Sequence, residues 1–179
     1  MHTSVMQFLR DSLVREEIHG QEVLEVGSQN VNGSPREVVA GFGPKKYVGV
    51  DFQIGTGVDV VLDVKNLTTY FGVDCFDVVI STEMLEHAKD WREAVQQMKA
   101  VLKPGGLLIL TTRGPGFPIH AYPHDYWRFT VEDFKKIFYD MIVMKLIPDP
   151  QCGHPGVLLK AIKRGASTVD LDAIKVASV

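Results

Sequence analysis

Apolar residues along the 179-residue chain follow two patterns in turn: spacing of three to four, and short continuous runs. Val5, Phe8, Leu9 and Leu13 recur at helical spacing, and Gly20 can end that segment. Val23, Leu24 and Val26 flank Glu25 in the first short run, read as a strand, which breaks into the loop 27–33. Ser34-Pro35-Arg36-Glu37 then carries the signals of a helix start: a capping serine, a proline suited to the first turn, and a glutamate placed to close a capping box. Residues 47–50 read as a second strand ending at Asp51, and 58–62 as a third ending at Asp63. Residues 76–81 are apolar and β-branched without alternation, which predicts a strand buried on both faces. Asp90 and Glu93 start a helix whose inner stripe is Trp91, Ala94, Val95, Met98, Val101 and Leu102. Pro104-Gly105-Gly106 stops it, and 107–112 form a fifth strand. After an irregular stretch, 113–128, Thr130 and Asp133 open another helix with Val131, Phe134, Ile137 and Phe138 facing inward.

Two further strand-like runs, 141–147 and 157–162, are separated only by the turn-rich stretch 148–156. A parallel crossover needs a dozen or more residues, so this pair is expected to be an antiparallel hairpin. The alternation of helix and strand gives the fold class: α/β, a Rossmann-like doubly wound, mainly parallel sheet with a C-terminal antiparallel hairpin. One domain is expected over 1–179, with its core at about 20–163, an N-terminal helical segment 1–19 and a weakly patterned tail 164–179.

Composition narrows the class of function. Net charge is −3, with 23% charged and 45% hydrophobic residues, so the basic stripe of a nucleic-acid binder is not expected. Two separated cysteines, Cys75 and Cys152, suit a reducing compartment better than a disulfide scaffold. No apolar run reaches a membrane span and residues 1–10 lack a signal pattern, so a cytoplasmic protein without membrane contact is expected.

Ligands of open α/β sheets sit beyond the carboxyl ends of the strands. Glu25, Gly27, Asp51, Asp63, Ser81 and Thr112 all map to that edge. Gly27 and Gly33 open a loop whose backbone N–H groups can approach a ligand, or simply make a tight turn. Asp51 can accept from both hydroxyls of a ribose. Asp63 can face the amine of an adenine or cap a helix. The set points to an adenosine-type ligand and by itself does not separate a nicotinamide cofactor from S-adenosylmethionine.

Val23-Leu24-Glu25-Val26-Gly27, Tyr47-Val48-Gly49-Val50-Asp51, Phe76-Asp77-Val78-Val79-Ile80-Ser81, Glu83-Met84-Leu85-Glu86-His87 and Lys103-Pro104-Gly105-Gly106 resemble, in order and spacing, the motifs of class I S-adenosylmethionine-dependent methyltransferases of the small-molecule branch. The resemblance runs from about 23 to 162. It implies S-adenosylmethionine as cofactor, with the Gly27 loop at its methionine part, Asp51 at the ribose, Asp63 at the adenine edge, and Ser81 beside it. Glu25 and Ser28 complete the expected cofactor set. The loop departs from the usual acid-x-Gly-x-Gly-x-Gly, because Gln29 and Val31 stand where later glycines are usual. Ser28, Gln29, Asn30 and Asn32 then offer polar side chains able to replace some backbone contacts.

Pro123-His124-Asp125-Tyr126-Trp127-Arg128-Phe129-Thr130 resembles a stretch of uncharacterised bacterial members, some from surface-glycan or secondary metabolism. Loops placed here commonly roof a substrate site. The alternative is a structural plug of Tyr126, Trp127 and Phe129, with Arg128 paired to Asp125. His124 and His87 are the candidate catalytic bases for a hydroxyl acceptor. His120, His124, Asp125, Cys152 and His154 are possible ligand types, but Pro123 spoils helical geometry and no metal site is expected. The expected function is methyl transfer to a small-molecule or glycan-pathway acceptor. The rivals are a nicotinamide-dependent oxidoreductase, whose close Gly-x-Gly-x-x-Gly spacing is absent, and a non-catalytic S-adenosylmethionine-binding protein. The oligomeric state is not legible in the sequence.

Overall fold

The computed structural model describes residues 2–120, 124–151 and 153–179. Seven strands form one sheet, and two short ones, β6 (Trp127–Arg128) and β9 (Ala177–Ser178), pair separately. The seven are β1 (Glu22–Val26), β2 (Lys46–Asp51), β3 (Val60–Val61), β4 (Phe76–Thr82), β5 (Leu102–Arg113), β7 (Met141–Pro148) and β8 (Gly156–Lys163), in the spatial order β3-β2-β1-β4-β5-β8-β7. The first five run parallel, while β8 is antiparallel to both β5 and β7. The expected C-terminal hairpin is therefore present and closes one edge of the sheet.

Period-two geometry puts successive side chains on opposite faces, and here both faces are covered. Leu24, Val79, Leu108 and Leu110 pack on the side of α4 (Leu67–Phe71), α5 (Trp91–Val101) and α6 (Val131–Ile137). Their neighbours Val23, Val78, Ile80, Leu107 and Ile109 pack on the side of α1 (Thr3–Ser12), α2 (Arg15–Ile18) and α3 (Pro35–Ala40). Strand β4 is accordingly buried on both faces, as its unbroken apolar run requires. Helix α5 buries Trp91, Ala94, Val95, Met98 and Val101, and the Asp90 side chain caps it by accepting from the Glu93 N–H at 3.2 Å. Thr130 and Asp133 form the reciprocal capping box of α6. Lys99 on α5 is buried and donates to the Ile137 carbonyl and to Asp140, both at 2.8 Å, which ties α5 to the end of α6.

Several local expectations change. The third strand keeps only Val60–Val61 of the predicted 58–62, because β2 alone pairs with it and it lies at the sheet edge. Helix α3 is capped by Ser34 Oγ accepting from the Arg36 N–H, while Glu37 lies exposed without the reciprocal bond. The N-terminal pattern divides into α1 and α2. Pro104-Gly105-Gly106 lies within β5, whose register against β4 is irregular between Phe76 and Val78. The tail is part of the packing. Leu171 and Ile174 are buried, their carbonyls accept from the Arg92 guanidinium, and β9 pairs antiparallel with β6. Among the described residues, no helix is long and apolar enough to cross a membrane.

Candidate functional site

From β1 the chain continues one way to β2 and β3, while β4 and β5 lie on the other side. The crevice at that reversal is where ligands of such sheets bind. There the ends of β1, β2, β3 and β4 line a cleft of about 1300 Å³. Gly27 forms its floor at φ +80°. A Cβ at this position would lie 2.6 Å from both Cβ and Cγ of Met84, so backbone conformation and space both exclude a side chain. Glu25 also lines the cleft but is only 2% exposed. It accepts from the Tyr47 hydroxyl at 2.7 Å. Burial pushes its carboxyl up to about 7, with the Tyr47 bond opposing.

Asp51 ends β2 at the cleft, with Oδ2 accepting from the Gln29 N–H and Oδ1 from the Gln53 N–H, each at 3.1 Å. A carboxylate offers about four lone-pair sites, which leaves about two for a ligand. Asp63 caps the short 3₁₀ turn Val64–Asn66 by accepting from the Lys65 N–H, and it also lines the cleft. The variant loop closes through side chains: Asn30 Oδ1 accepts from the Gly33 N–H at 2.8 Å. Ser28 and Ser81 do not line the cleft. Ser28 is 1% exposed and packs against Gly49, where a Cβ would come within 2.8 Å of it. Ser81 is fully buried and donates to the Val26 carbonyl at 2.9 Å, pinning the end of β4 to β1.

The turn after β4 supplies cleft residues to which the motif reading assigned no role. Thr82, Glu83 and Met84 all line the cleft. Glu83 has φ +55°, an unfavourable conformation for a non-glycine residue. Its carboxylate is held by the fully buried Arg113, which also pairs with Asp149 at 3.1 Å, so the strained corner is fixed from beneath. Phe52, Leu62 and Val64 give the cleft an apolar wall beside Asp63.

The far end of the cleft is rich in histidine. His87, His120, His124 and Tyr126 line it. The His87 Nδ1–H donates to the His124 carbonyl at 2.5 Å. The His124 ring is exposed and lies 5.7 Å from the Tyr126 ring. Both oxygens of Asp125 bind Arg128, at 2.5 and 2.6 Å, and the same carboxylate accepts from the His120 N–H at 2.9 Å. Phe129 is fully buried, and the Trp127 indole N–H donates to the Ala88 and Lys89 carbonyls. Asp125, Trp127, Arg128 and Phe129 thus build the plug, while His124 and Tyr126 face the cleft. Pro123 and Cys152 lie outside the described residues. Although no metal site was expected, Glu86, His87 and His120 each place one ligand atom within 4.8 Å of the other two. Glu86 itself is fully buried, and burial raises its carboxyl above the usual range.

The family model described as "Methyltransferase domain" matches residues 5–141. The chain is 35% identical over 77 residues to the uncharacterized protein YafE of Escherichia coli (strain K12), covering 38% of this chain and 35% of that protein. It is 44% identical over 52 residues to a ubiquinone biosynthesis O-methyltransferase of Haemophilus ducreyi, covering 29% of this chain and 22% of that one. The matches thus span about a third or less of these curated relatives. The fold is similar to that of the Burkholderia thailandensis 1,6-didemethyltoxoflavin-N1-methyltransferase, solved with bound 1,6-didemethyltoxoflavin and S-adenosylhomocysteine. The TM-score is 0.71 at 15% identity, covering 90% of this chain and 79% of that one.

Proposed function

The chain belongs to the methyltransferase domain family, and we propose that it transfers a methyl group from S-adenosylmethionine to a small-molecule acceptor at the histidine end of the cleft. The observation that carries the reading is one cleft with two chemically distinct ends. Its volume of about 1300 Å³ exceeds the roughly 300–1,000 Å³ of a typical single-ligand pocket. Gly27, Glu25 and Asp51 occupy one end, and His87, His124 and Tyr126 the other.

The residues present fit the cofactor. Gly27 makes the positive-φ turn that ends β1 at the cleft, its N–H bonded to the Val50 carbonyl, Asp51 keeps lone pairs for two ribose hydroxyls, and Glu25 can pair with an ammonium group. Phe52, Leu62 and Val64 suit an apolar ring face next to Asp63, which suits its amine. When bound, S-adenosylmethionine supplies an already activated methyl group on a sulfonium. What the chain must add is alignment of the acceptor. A hydroxyl acceptor also gains from a base, for which His124 and His87 are the proposed groups. The loop holding His124 and Tyr126 resembles that of uncharacterised bacterial members, some from surface-glycan or secondary metabolism, so precursors of both kinds belong in an acceptor screen.

Calorimetry with S-adenosylhomocysteine tests the cofactor half. Wild type should bind in the micromolar range, on the order of −8 kcal/mol. Asp51→Ala, with folding checked by circular dichroism, should lose about 1.5–3 kcal/mol for each charge-assisted bond not replaced by water. Binding of a nicotinamide nucleotide in place of S-adenosylhomocysteine would overturn the reading. An acceptor screen following methyl transfer then separates an enzyme from a cofactor-binding protein.

A further inference from the structure

The histidine end of the cleft holds a group of side chains that binding of the cofactor does not use. Glu86 lies after β4 within the 3₁₀ turn Leu85–His87, and His120 arrives on the loop after β5. One oxygen of Glu86 accepts from the Thr112 hydroxyl at 2.8 Å. The other, Oε1, is buried without a hydrogen-bond partner among the described residues, in a residue that is 0% exposed. An unsatisfied carboxylate oxygen in such a place is costly, and an unfilled ligand site is one of its standard explanations.

Each of the two imidazoles has its Nδ1 turned to an oxygen, as metal-ligating histidines commonly do. The Nδ1–H of His87 is committed to the His124 carbonyl, which fixes the tautomer and leaves Nε2 with its lone pair. In His120, Nδ1 lies 3.1 Å from Asp125 Oδ2, an electrostatic contact rather than an aligned hydrogen bond, which again leaves Nε2 for a ligand. A carbonyl and a carboxylate behind two histidines, with a buried carboxylate beside them, make a two-histidine, one-carboxylate donor set with positions open to the cleft.

We propose that Glu86, His87 and His120 bind a divalent first-row transition ion of the zinc type at the acceptor end of the cleft. Neighbouring ligand atoms around a zinc ion with bonds of about 2.0–2.1 Å sit roughly 3.4 Å apart. The present separations of up to 4.8 Å therefore close by a small inward shift of the partly exposed His120 side chain. The ion's consequence for chemistry rests on the methyl-transfer reading. With His87 bound to the ion and so no longer a base, an acceptor hydroxyl on an open position loses its proton to His124 or solvent more readily; the electron pair freed on oxygen attacks the methyl carbon as the carbon–sulfur bond breaks and S-adenosylhomocysteine leaves. Metal binding itself does not depend on that reading.

The test uses the full chain stripped with chelator and titrated with Co²⁺, then with Zn²⁺ in competition. Expected are one equivalent of Co²⁺ with the visible absorption of a low-coordinate site, displaced by Zn²⁺. His87→Ala and His120→Ala should weaken binding by more than the roughly 10–100-fold typical of losing an outer-shell partner. The His120 side chain is 40% exposed, so His120→Ala should fold, and retained S-adenosylhomocysteine binding confirms that it does. Glu86→Gln should weaken Co²⁺ binding likewise. Absence of stoichiometric binding, or binding that survives His120→Ala, overturns the proposal. Should the metal bind through these residues while S-adenosylhomocysteine does not bind, the metal site stands and the methyl-transfer reading falls.

Discussion

Glu25 couples the stability of the domain to pH, and Glu25→Gln isolates the effect. In the unfolded chain the carboxyl titrates near 4.5, and in the folded protein burial pushes it up to about 7. Between these values the folded protein holds a proton that the unfolded chain has released. The contribution is therefore fully present below pH 4.5 and is lost as pH rises to about 7. The gap from 4.5 to about 7, at about 1.4 kcal/mol per pH unit, gives on the order of 3 kcal/mol. The side chain is nearly fully buried, so little of this is screened away. The amide of the variant would still accept from Tyr47 but carries no titratable proton. Urea denaturation at about pH 4.5, 6, 7 and 8.5 should give curves for wild type and variant that agree at the acid end. The variant should become more stable by about 1–3 kcal/mol at about pH 8.5. Because Asp59, Asp77, Asp125 and Asp140 are all held below their usual range in both proteins, their acid-side effects cancel in the difference. Parallel profiles would show that Glu25 is solvated, which would also remove the reason for assigning it to an ammonium group. If the assignment holds, the stabilised variant should bind S-adenosylhomocysteine more weakly than wild type.

Gly27→Ala should destabilise the fold by about 1–2 kcal/mol from its positive φ alone, with more from the contact with Met84, and should weaken S-adenosylhomocysteine binding; denaturation and calorimetry read the two effects separately. Lys99→Met leaves the Asp140 carboxylate buried beside an apolar chain and should cost about 3 kcal/mol, the low end for a broken buried pair, because Ser167 and Thr168 still donate to Asp140. An unchanged denaturation midpoint would contradict it. His124→Ala should lower turnover on a hydroxyl acceptor about a hundredfold while leaving S-adenosylhomocysteine affinity within about twofold. Equal loss of both would make the loop a structural element of the cofactor site.

The parallel core was legible because its signals are local. An unbroken apolar run such as 76–81 has to be buried on both faces, and the short gap 148–156 between strand-like runs leaves no room for a crossover, so β7 and β8 had to form a hairpin. Gly27 and Asp51 were legible for the same reason, since each ends a strand and inherits its place at the cleft from that strand's direction. Ser81 is also at a strand end, but period two decides which face a side chain takes. Its hydroxyl is spent on the Val26 carbonyl, and the next residue, Thr82, reaches the cleft. Ser28 turns back toward Gly49 because Gly27 takes a positive φ just before it, a conformation that composition of the loop does not reveal.

The histidine end of the cleft was less legible because its parts are assembled across the chain. His87 follows β4, His120 follows β5, and they meet only because those strands are hydrogen-bonded neighbours and the loop after β5 folds back over the turn. That return is enforced by charge rather than by hydrophobic pattern: Asp125 binds the Arg128 guanidinium and the His120 N–H together, and Arg128 donates in addition to the Phe117 and Pro118 carbonyls. The tail adds its own clamp, as β9 pairs with β6 and the Val179 N–H donates to the Tyr126 carbonyl. Spacing in sequence therefore paired His120 with His124, whereas the fold pairs His120 with His87 and uses His124 through its backbone carbonyl. The same network explains why Glu86 can be buried with an oxygen unsatisfied: the Thr112 hydroxyl below and the Tyr126 N–H bound to its backbone carbonyl hold the residue in place. A carboxyl group fixed in this way has no freedom to turn toward water, and the side chains that line the cleft beside it are His87 and His120.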